Sequence, residues 1–360
     1  MSTAAPGERA PGFASTLMEA HEPEGRKIQR DIVVVGASAG GVEALGKLMR
    51  GLPPELPAAL FVVLHVLPTG TSVLPEILDR AGELPATPAV DGDPVERGRV
   101  YVAPPDHHLL VHDGTVALSR GPRENGHRPA VDPLFRSAAR AYGSRVIAIV
   151  LSGALDDGTA GLGFVKSHGG VTIVQAPSDA LYPAMPQSAI AHDAADHSVP
   201  IAQMPALLCE LLDAQIEPIA PTDYAPEHED RSDGDPRAGI LSPITCPECG
   251  GSLWEHEEGS VLRFKCHVGH AFTRESLDTA QGQAVEAALW SALRSLEERA
   301  ELLKRLARRS RGSKRGGGEA LERKADVVSG HADVLREVLA RLGREPGAES
   351  PPEPAAQAAE

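Results

Sequence analysis

Aromatic residues are scarce: Phe, Tyr and Trp make up 3 % of the 360 positions. Val, Leu and Ala therefore have to carry the interior. Positive charge is short as well. The 35 Lys and Arg stand against 50 Asp and Glu, a formal balance of -15, which argues against a nucleic-acid partner. No apolar run is long enough to span a bilayer, so membrane insertion is not expected. Residues 1–28 lack the apolar centre of a signal peptide. There are only four cysteines. Three of them, Cys246, Cys249 and Cys266, cluster late and do not form a disulfide framework. Together these absences predict a cytoplasmic chain.

What is present reads as one full-sized domain and a small module. Residues 1–28, rich in Ala, Gly, Pro and charge, are expected to be a disordered tail. From residue 29 to 214, strand-like and helix-like runs alternate. Ile32–Val35, Leu60–His65, Val100–Ala103, Val146–Leu151 and Val171–Gln175 are apolar and rich in β-branched residues, as strands covered on both faces should be. Helical patterns at Gly41–Gly51, Val73–Arg80, Pro133–Tyr142 and Gly161–His168 lie between them. The pattern predicts a doubly wound α/β domain with a mostly parallel sheet. The segment HHLLVHDGTVALSR, with Asp-Gly between two alternating runs, predicts a β-hairpin. Its histidines, His107, His108 and His112, are expected on the surface rather than at a metal.

Residues 215–240 are rich in Pro, Asp and Gly and read as a linker. Its length and polarity predict that the C-terminal part of the chain moves independently. Residues 241–275 carry Cys246-x2-Cys249 and, sixteen residues on, Cys266-x3-His270. Two thiolates on a knuckle and a second Cys/His pair supply four ligands for a structural zinc in a ribbon-like module. The segment has too few apolar residues to fold without such a staple. His270 is preferred over His267, which is adjacent to Cys266 and would point away from it along extended backbone. Residues 280–343 form two helical stretches with apolar seams: Leu289, Leu293, Leu296, Ala300, Leu303 and Ala307, then Leu321, Ala325, Val328, Ala332, Leu335, Leu339 and Leu342. The glycine-rich turn between them predicts a helical hairpin, available for docking a partner or for self-association. Residues 344–360 are expected to be a disordered tail.

The chemistry concentrates at strand ends. The stretch DIVVVGASAGGVEAL spells both a glycine turn that a phosphate would favour and the G-x-S-x-G of a nucleophilic serine. A phosphate loop would want a Lys after the glycines, and Val-Glu stands there instead. A dinucleotide loop would want glycine where Ser38 stands. Ser38 follows the first strand, His65 ends the next, and Asp157 follows Val146–Leu151. Strand ends of a parallel sheet share one edge. The three residue types are those of a nucleophile, a base and an orienting acid.

Six segments in order, VGASAGG, LHV, YVAPPDHHLLV, RPAVDPLFRSAA, LSGALDDGTAG and MPQSAI, give residues 30–212 a resemblance to the catalytic domain of the CheB family, the chemotaxis protein-glutamate methylesterases. The resemblance implies a triad of Ser38, His65 and Asp157, with Asp157 preferred over Asp156 because it stands immediately before the glycine. It implies backbone oxyanion donors near Ala39 and Ala154, no cofactor for catalysis, and a methyl-accepting chemoreceptor or similar methylated signalling protein as partner. It also implies glutamine deamidation by the same residues. Ala39 and Ala154-Leu155 depart from the usual pattern, and a binding protein that keeps the fold with weakened turnover is the alternative. Typical members carry an N-terminal receiver domain, for which the residues before Ile32 leave no room. Control by receiver phosphorylation in cis is not expected.

Overall fold

The computed structural model describes residues 27–217, 237, 239–310 and 318–342. The expected tails and most of the expected linker, together with the glycine-rich turn at 311–317, lie outside the described residues. The α/β unit runs β1 (Ile28–Gln29), β2 (Ile32–Ala37), α1 (Gly41–Gly51), β3 (Ala59–Leu64), α2 (Leu74–Ala81), β4 (Ala86–Pro88), β5 (Val100–Val102), β6 (His108–His112), β7 (Thr115–Ser119), α3 (Val131–Tyr142), β8 (Val146–Val150), α4 (Thr159–Ser167), β9 (Val171–Gln175), α5 (Ala184–Ala191), β10 (His197–Val199), α6 (Met204–Asp213) and β11 (Gln215–Ile216). After it come β12 (Ile240–Thr245), β13 (Ser252–Glu258), β14 (Val261–Cys266), β15 (Ala271–Thr273), α7 (Arg274–Ser310) and α8 (Gly318–Leu342).

Seven strands form one sheet in the order β10-β9-β8-β2-β3-β5-β4, and each neighbouring pair is parallel. Every residue of β2 and β3 is buried. Their alternating side chains feed two cores. Val33 and Val35 join Leu45, Leu48, Leu78 and Leu208 on one face. Ile32 and Val34 join Leu134, Phe135, Leu162 and Met185 on the other. A strand covered on both faces can afford no polar position, which is why these runs are continuous. β2 sits between β3 and β8, so the chain winds outward from it in both directions. This switch point is where a doubly wound sheet opens a crevice at its carboxyl edge.

The hairpin forms with β6 against β7, His108 opposite Ser119 and His112 opposite Thr115. Gly114 takes φ 77 in its turn, a conformation that glycine adopts without steric cost. The surface reading of His108 is corrected. It is 4 % exposed, donates from Nε2 to Pro122 O at 2.9 Å and accepts from Ala130 N at 3.3 Å. Burial lowers its pKa, so a neutral imidazole ties the hairpin to the loop ahead of α3. Ile28, placed in the tail by its sequence, pairs with Ile216 in a short antiparallel ribbon.

The second unit is an antiparallel sheet, β12-β13-β14-β15, continued by α7 and its antiparallel partner α8. Leu253, Phe264, Cys266, Phe272 and Leu277 make its small core. Leu293, Ala332 and Leu339 are buried in the hairpin seam, with Leu289, Leu296 and Leu335 packed beside them. The expectation that this unit moves freely is corrected. Arg263 of β14 is fully buried and pairs with Glu124 and Asp132 of the α/β unit. Asn125 N donates to Ala271 O at 2.7 Å, and Thr273 Oγ1 donates to Asp156 Oδ1 at 2.8 Å. This buried ion-pair network and the hydrogen bonds beside it join the sheet to the α/β unit.

Candidate active site

Ser38 follows β2 directly. The chain turns there through Gly40, at φ 70, into α1. A Cβ on Gly40 would meet Ser152 Oγ at 2.7 Å, so both the backbone and the space require glycine. The turn is tied to the loop after β8. Ser38 N donates to Ser152 O at 3.0 Å, and Ser152 Oγ donates to Ala39 O at 2.8 Å. Among the described residues, neither the Ala39 nor the Ala154 amide donates to a protein acceptor. Ala39 is half-buried and Ala154 is exposed at the rim.

The structure brings the three expected side chains into one row. His65, just past β3, has Nδ1 3.1 Å from Ser38 Oγ and Nε2 2.7 Å from Asp157 Oδ2. A carboxylate accepts only, so Nε2 carries the proton and Nδ1 is free to accept from the serine hydroxyl. His65 and Asp157 side chains are 6 % and 2 % exposed.

Asp157 is more firmly held than its sequence suggests. Oδ2 also accepts from Val131 N at 2.7 Å. Oδ1 accepts from Asn125 Nδ2 at 2.9 Å and from Asp132 N at 3.3 Å. Two of these donors are the first amides of α3, where the helix dipole favours negative charge. Burial opposes ionisation, but the His65 bond and these donors outweigh it and hold the carboxyl far below the usual range. Asp156 is a different group. Burial pushes it up to about 7, and its recorded partner is Thr273. The acid in the row is Asp157.

His127, Asn125, Asp132 and Arg263 surround this row without having been singled out in the sequence. The His127 ring stacks on His65 with centroids 3.7 Å apart and planes 15° apart. Burial first, and then the neighbouring imidazole, lower its pKa to about 4, so it meets His65 as a neutral plate. The sole sequence hint is its place next to Arg128-Pro129-Ala130, which opens one of the six family-like segments.

The late cysteines also converge. Donor atoms of Cys246, Cys249, Cys266 and His270 all lie within 4.8 Å of one another. Cys249 Sγ is 3.7 Å from Cys266 Sγ, and His270 Nδ1 is 3.5 Å from Cys266 Sγ and 3.7 Å from Cys246 Sγ. Ligands at about 2.3 Å (thiolate) and 2.0–2.1 Å (imidazole) from a tetrahedral centre stand about 3.5–3.8 Å apart. The residues thus fit a tetrahedral metal, and His270, rather than His267, is the imidazole in the cluster. Burial pushes the Cys246 thiol up to about 12, so a thiolate there requires a bound cation.

The parallel α/β domain thus holds a serine, an imidazole and a carboxylate in a row at its carboxyl edge, the residue types of a nucleophile, a base and an orienting acid. Residues 33–208 match the family model described as CheB methylesterase, and the α/β unit of this chain is a domain of that family. Protein-glutamate methylesterase/protein-glutamine glutaminase 2 of Anaeromyxobacter dehalogenans is 39 % identical over 186 residues, 52 % of this chain and 54 % of that protein. The protein of the same name from Methanosarcina acetivorans is 42 % identical over 183 residues, 49 % of this chain and 51 % of that protein. The crystal structure of the Thermotoga maritima CheB methylesterase catalytic domain is 38 % identical, covering 51 % of this chain and all of that one, with a TM-score of 0.49. The chain spans about half the length of the curated relatives it matches.

Proposed function

We propose that this chain hydrolyses γ-methyl esters of glutamate residues on a chemoreceptor or similar methylated signalling protein. The observation that carries this reading is the hydrogen-bonded row from Ser38 through His65 to Asp157, in a domain whose relatives are named for that reaction. His65 Nδ1 takes the hydroxyl proton as Ser38 Oγ attacks the ester carbonyl. Asp157 fixes the tautomer and stabilises the imidazolium that forms. The Ala39 and Ala154 amides are the donors for the oxyanion. The imidazolium returns its proton to the departing methoxide, and methanol leaves. Water, activated by His65, then frees the carboxylate. The same steps on a glutamine side chain release ammonia. No step needs a metal or an organic cofactor.

Cys246, Cys249, Cys266 and His270 hold a zinc ion in this reading. Four protein ligands leave no open position, so its role is structural. Trp290, Val327 and Val334 are exposed on α7 and α8, and in this reading the hairpin docks a partner or a second copy. No described helix is long and apolar enough to cross a membrane. The test is methanol release from a methylated receptor preparation by the full-length chain. Release that Ser38→Ala abolishes supports the proposal, and release that survives it refutes the serine mechanism.

A further inference from the structure

Behind the Ser38–His65–Asp157 row, a buried network crosses from the α/β unit into the C-terminal sheet. Asn125 donates from Nδ2 to Asp157 Oδ1 at 2.9 Å and to Asp132 Oδ2 at 3.2 Å. Its other end belongs to the C-terminal unit. Asn125 Oδ1 accepts from Thr273 N at 3.0 Å and from Ser276 Oγ at 3.1 Å, and its backbone amide donates to Ala271 O at 2.7 Å. Asn125 also has φ 52, a left-handed conformation that asparagine tolerates but that its surroundings must stabilise.

A second route leads to the same carboxylate. Arg263 is 0 % exposed and pairs with Asp132 Oδ2 and, at 2.7 Å, with Glu124 Oε2. Asp132 Oδ1 in turn accepts from Gly158 N at 3.1 Å and Gly161 N at 2.8 Å. Those amides begin α4, immediately after Asp157. Arg263 therefore anchors the residue that anchors the acid's own loop.

We infer that Arg263, Thr273 and Ser276 of the C-terminal unit are positioning residues for the acid of the triad, so that the sheet β12–β15 is part of the catalytic centre without touching substrate. The inference rests on the proposed hydrolase function. An asparagine amide can present either end to a neighbour, and an oxygen turned toward Asp157 would repel it. The donors at Thr273 N and Ser276 Oγ select the end that faces the carboxylate. With that bond made, Asp157 is saturated on both oxygens and cannot swing away from His65. Cys266 ends the strand that carries Arg263, and His270 directly precedes the strand that carries Ala271 and Thr273. The cysteine cluster thus closes the turn that sets this geometry.

The test compares Ser276→Ala and Arg263→Met with the full-length wild-type chain. It uses p-nitrophenyl acetate turnover across pH, with circular dichroism to confirm folding. Arg263→Met is expected to lower kcat about 10²-fold, the cost of a displacement of about 1 Å at a catalytic group. Ser276→Ala removes the hydroxyl that bonds Asn125 Oδ1 and that also meets Thr273 N, Oγ1 and O, and it is expected to lower kcat about tenfold. In both, KM should stay near the wild-type value, and the acid limb of the pH–rate profile should move. The groups that face His65 and Asp157, namely His127, His108, Asp132, Asp156, Glu124 and Arg263, keep their own side chains in Ser276→Ala, and Asp156 is reached only through Thr273, which Ser276 also bonds, so that variant reports the hold that Ser276 and Thr273 together place on Asn125. If Arg263→Met, which takes a buried cationic partner from both Glu124 and Asp132, fails to fold, Ser276→Ala decides alone. Unchanged kcat and pH limb in a folded variant overturn the inference, as does an effect confined to KM. Ser38→Ala in the same assay separates the two readings. If it leaves turnover intact, the hydrolase reading falls and this inference with it. If it abolishes turnover while Ser276→Ala and Arg263→Met match the wild type, only this inference falls.

Discussion

Replacing Asp157 by Asn keeps the shape and removes the charge, and the hydrogen bonds at that carboxylate specify the consequences. It accepts four: His65 Nε2 and Val131 N on Oδ2, Asn125 Nδ2 and Asp132 N on Oδ1. An amide has one accepting end. If its NH2 faces His65, Nε2 must become the acceptor and the imidazole proton moves to Nδ1, where it blocks transfer from Ser38. If its NH2 faces Asn125, it meets two donors, and Asn125 cannot turn to relieve them because Thr273 and Ser276 hold its oxygen. Each stranded buried N–H costs about 1–3 kcal/mol, so the variant should lose about 1–3 kcal/mol of stability in the first arrangement, where Val131 N is stranded, and about 2–6 kcal/mol in the second. Its ester turnover should fall about 10⁴-fold, as expected for a base held in the wrong tautomer. Small-ester kinetics on folded protein, beside urea unfolding, measure both quantities. Asp156→Asn is the control and should cost far less activity, because that carboxyl is already pushed up to about 7 by burial and bonds Thr273 rather than His65. Near-normal turnover in Asp157→Asn, or a larger loss in Asp156→Asn, would show that the acid has been assigned to the wrong residue.

Metal analysis of reductant-protected protein should find one zinc per chain, lost in Cys266→Ser and weakened more by His270→Ala than by His267→Ala; a stoichiometry near zero refutes the site. Bound thiolates must be deprotonated, so zinc should be released as the pH falls. Burial alone would raise the Glu124 carboxyl, but Arg136 and Arg263 outweigh it and hold the group at about 2. A depressed carboxyl contributes stability that is present above its unfolded value of about 4.5 and lost as the pH falls through 2, here about 3 kcal/mol. Urea midpoints recorded from pH 5 to 2 should show that loss in the wild type and a flatter profile in Glu124→Gln; parallel profiles would show that Glu124 carries no such share. In Gly153→Ala the new methyl would meet Met185 Sδ at 1.9 Å and Ser38 Cβ at 3.0 Å. Turnover should fall and be partly restored by adding Met185→Ala, whereas no effect of Gly153→Ala would mean that the serine turn is looser than these distances require.

The strands that carry the row are legible because burial on both faces leaves no polar residue to interrupt them. Val171–Gln175 and Gly41–Gly51 have the bounds their patterns predict. The edge strands β4 and β10, with three residues each, are too short to show a period. Ser38, His65 and Asp157 are legible because parallel strand ends must share an edge. Arg263 is not. In Val-Leu-Arg-Phe-Lys-Cys, alternation assigns Arg263 and Lys265 to a solvated face while Phe264 and Cys266 enter the module's own core. The charged face instead docks on Glu124 and Asp132, more than a hundred residues away in sequence. A local pattern carries no trace of a partner so distant, and the polar linker suggests the opposite. His127 and Asn125 are hidden for a related reason, since their neighbours on the chain are loop residues and their partners come from other elements.

The most direct measurement is covalent labelling of the full-length protein by a fluorophosphonate, read by intact mass and peptide mapping. The probe reacts with a hydroxyl only where a base takes its proton. One equivalent of label per chain is expected, located on Ser38, absent in Ser38→Ala and strongly slowed in His65→Ala. Folded wild-type protein that takes no label, or takes it at another residue while ester turnover persists, would contradict the serine mechanism.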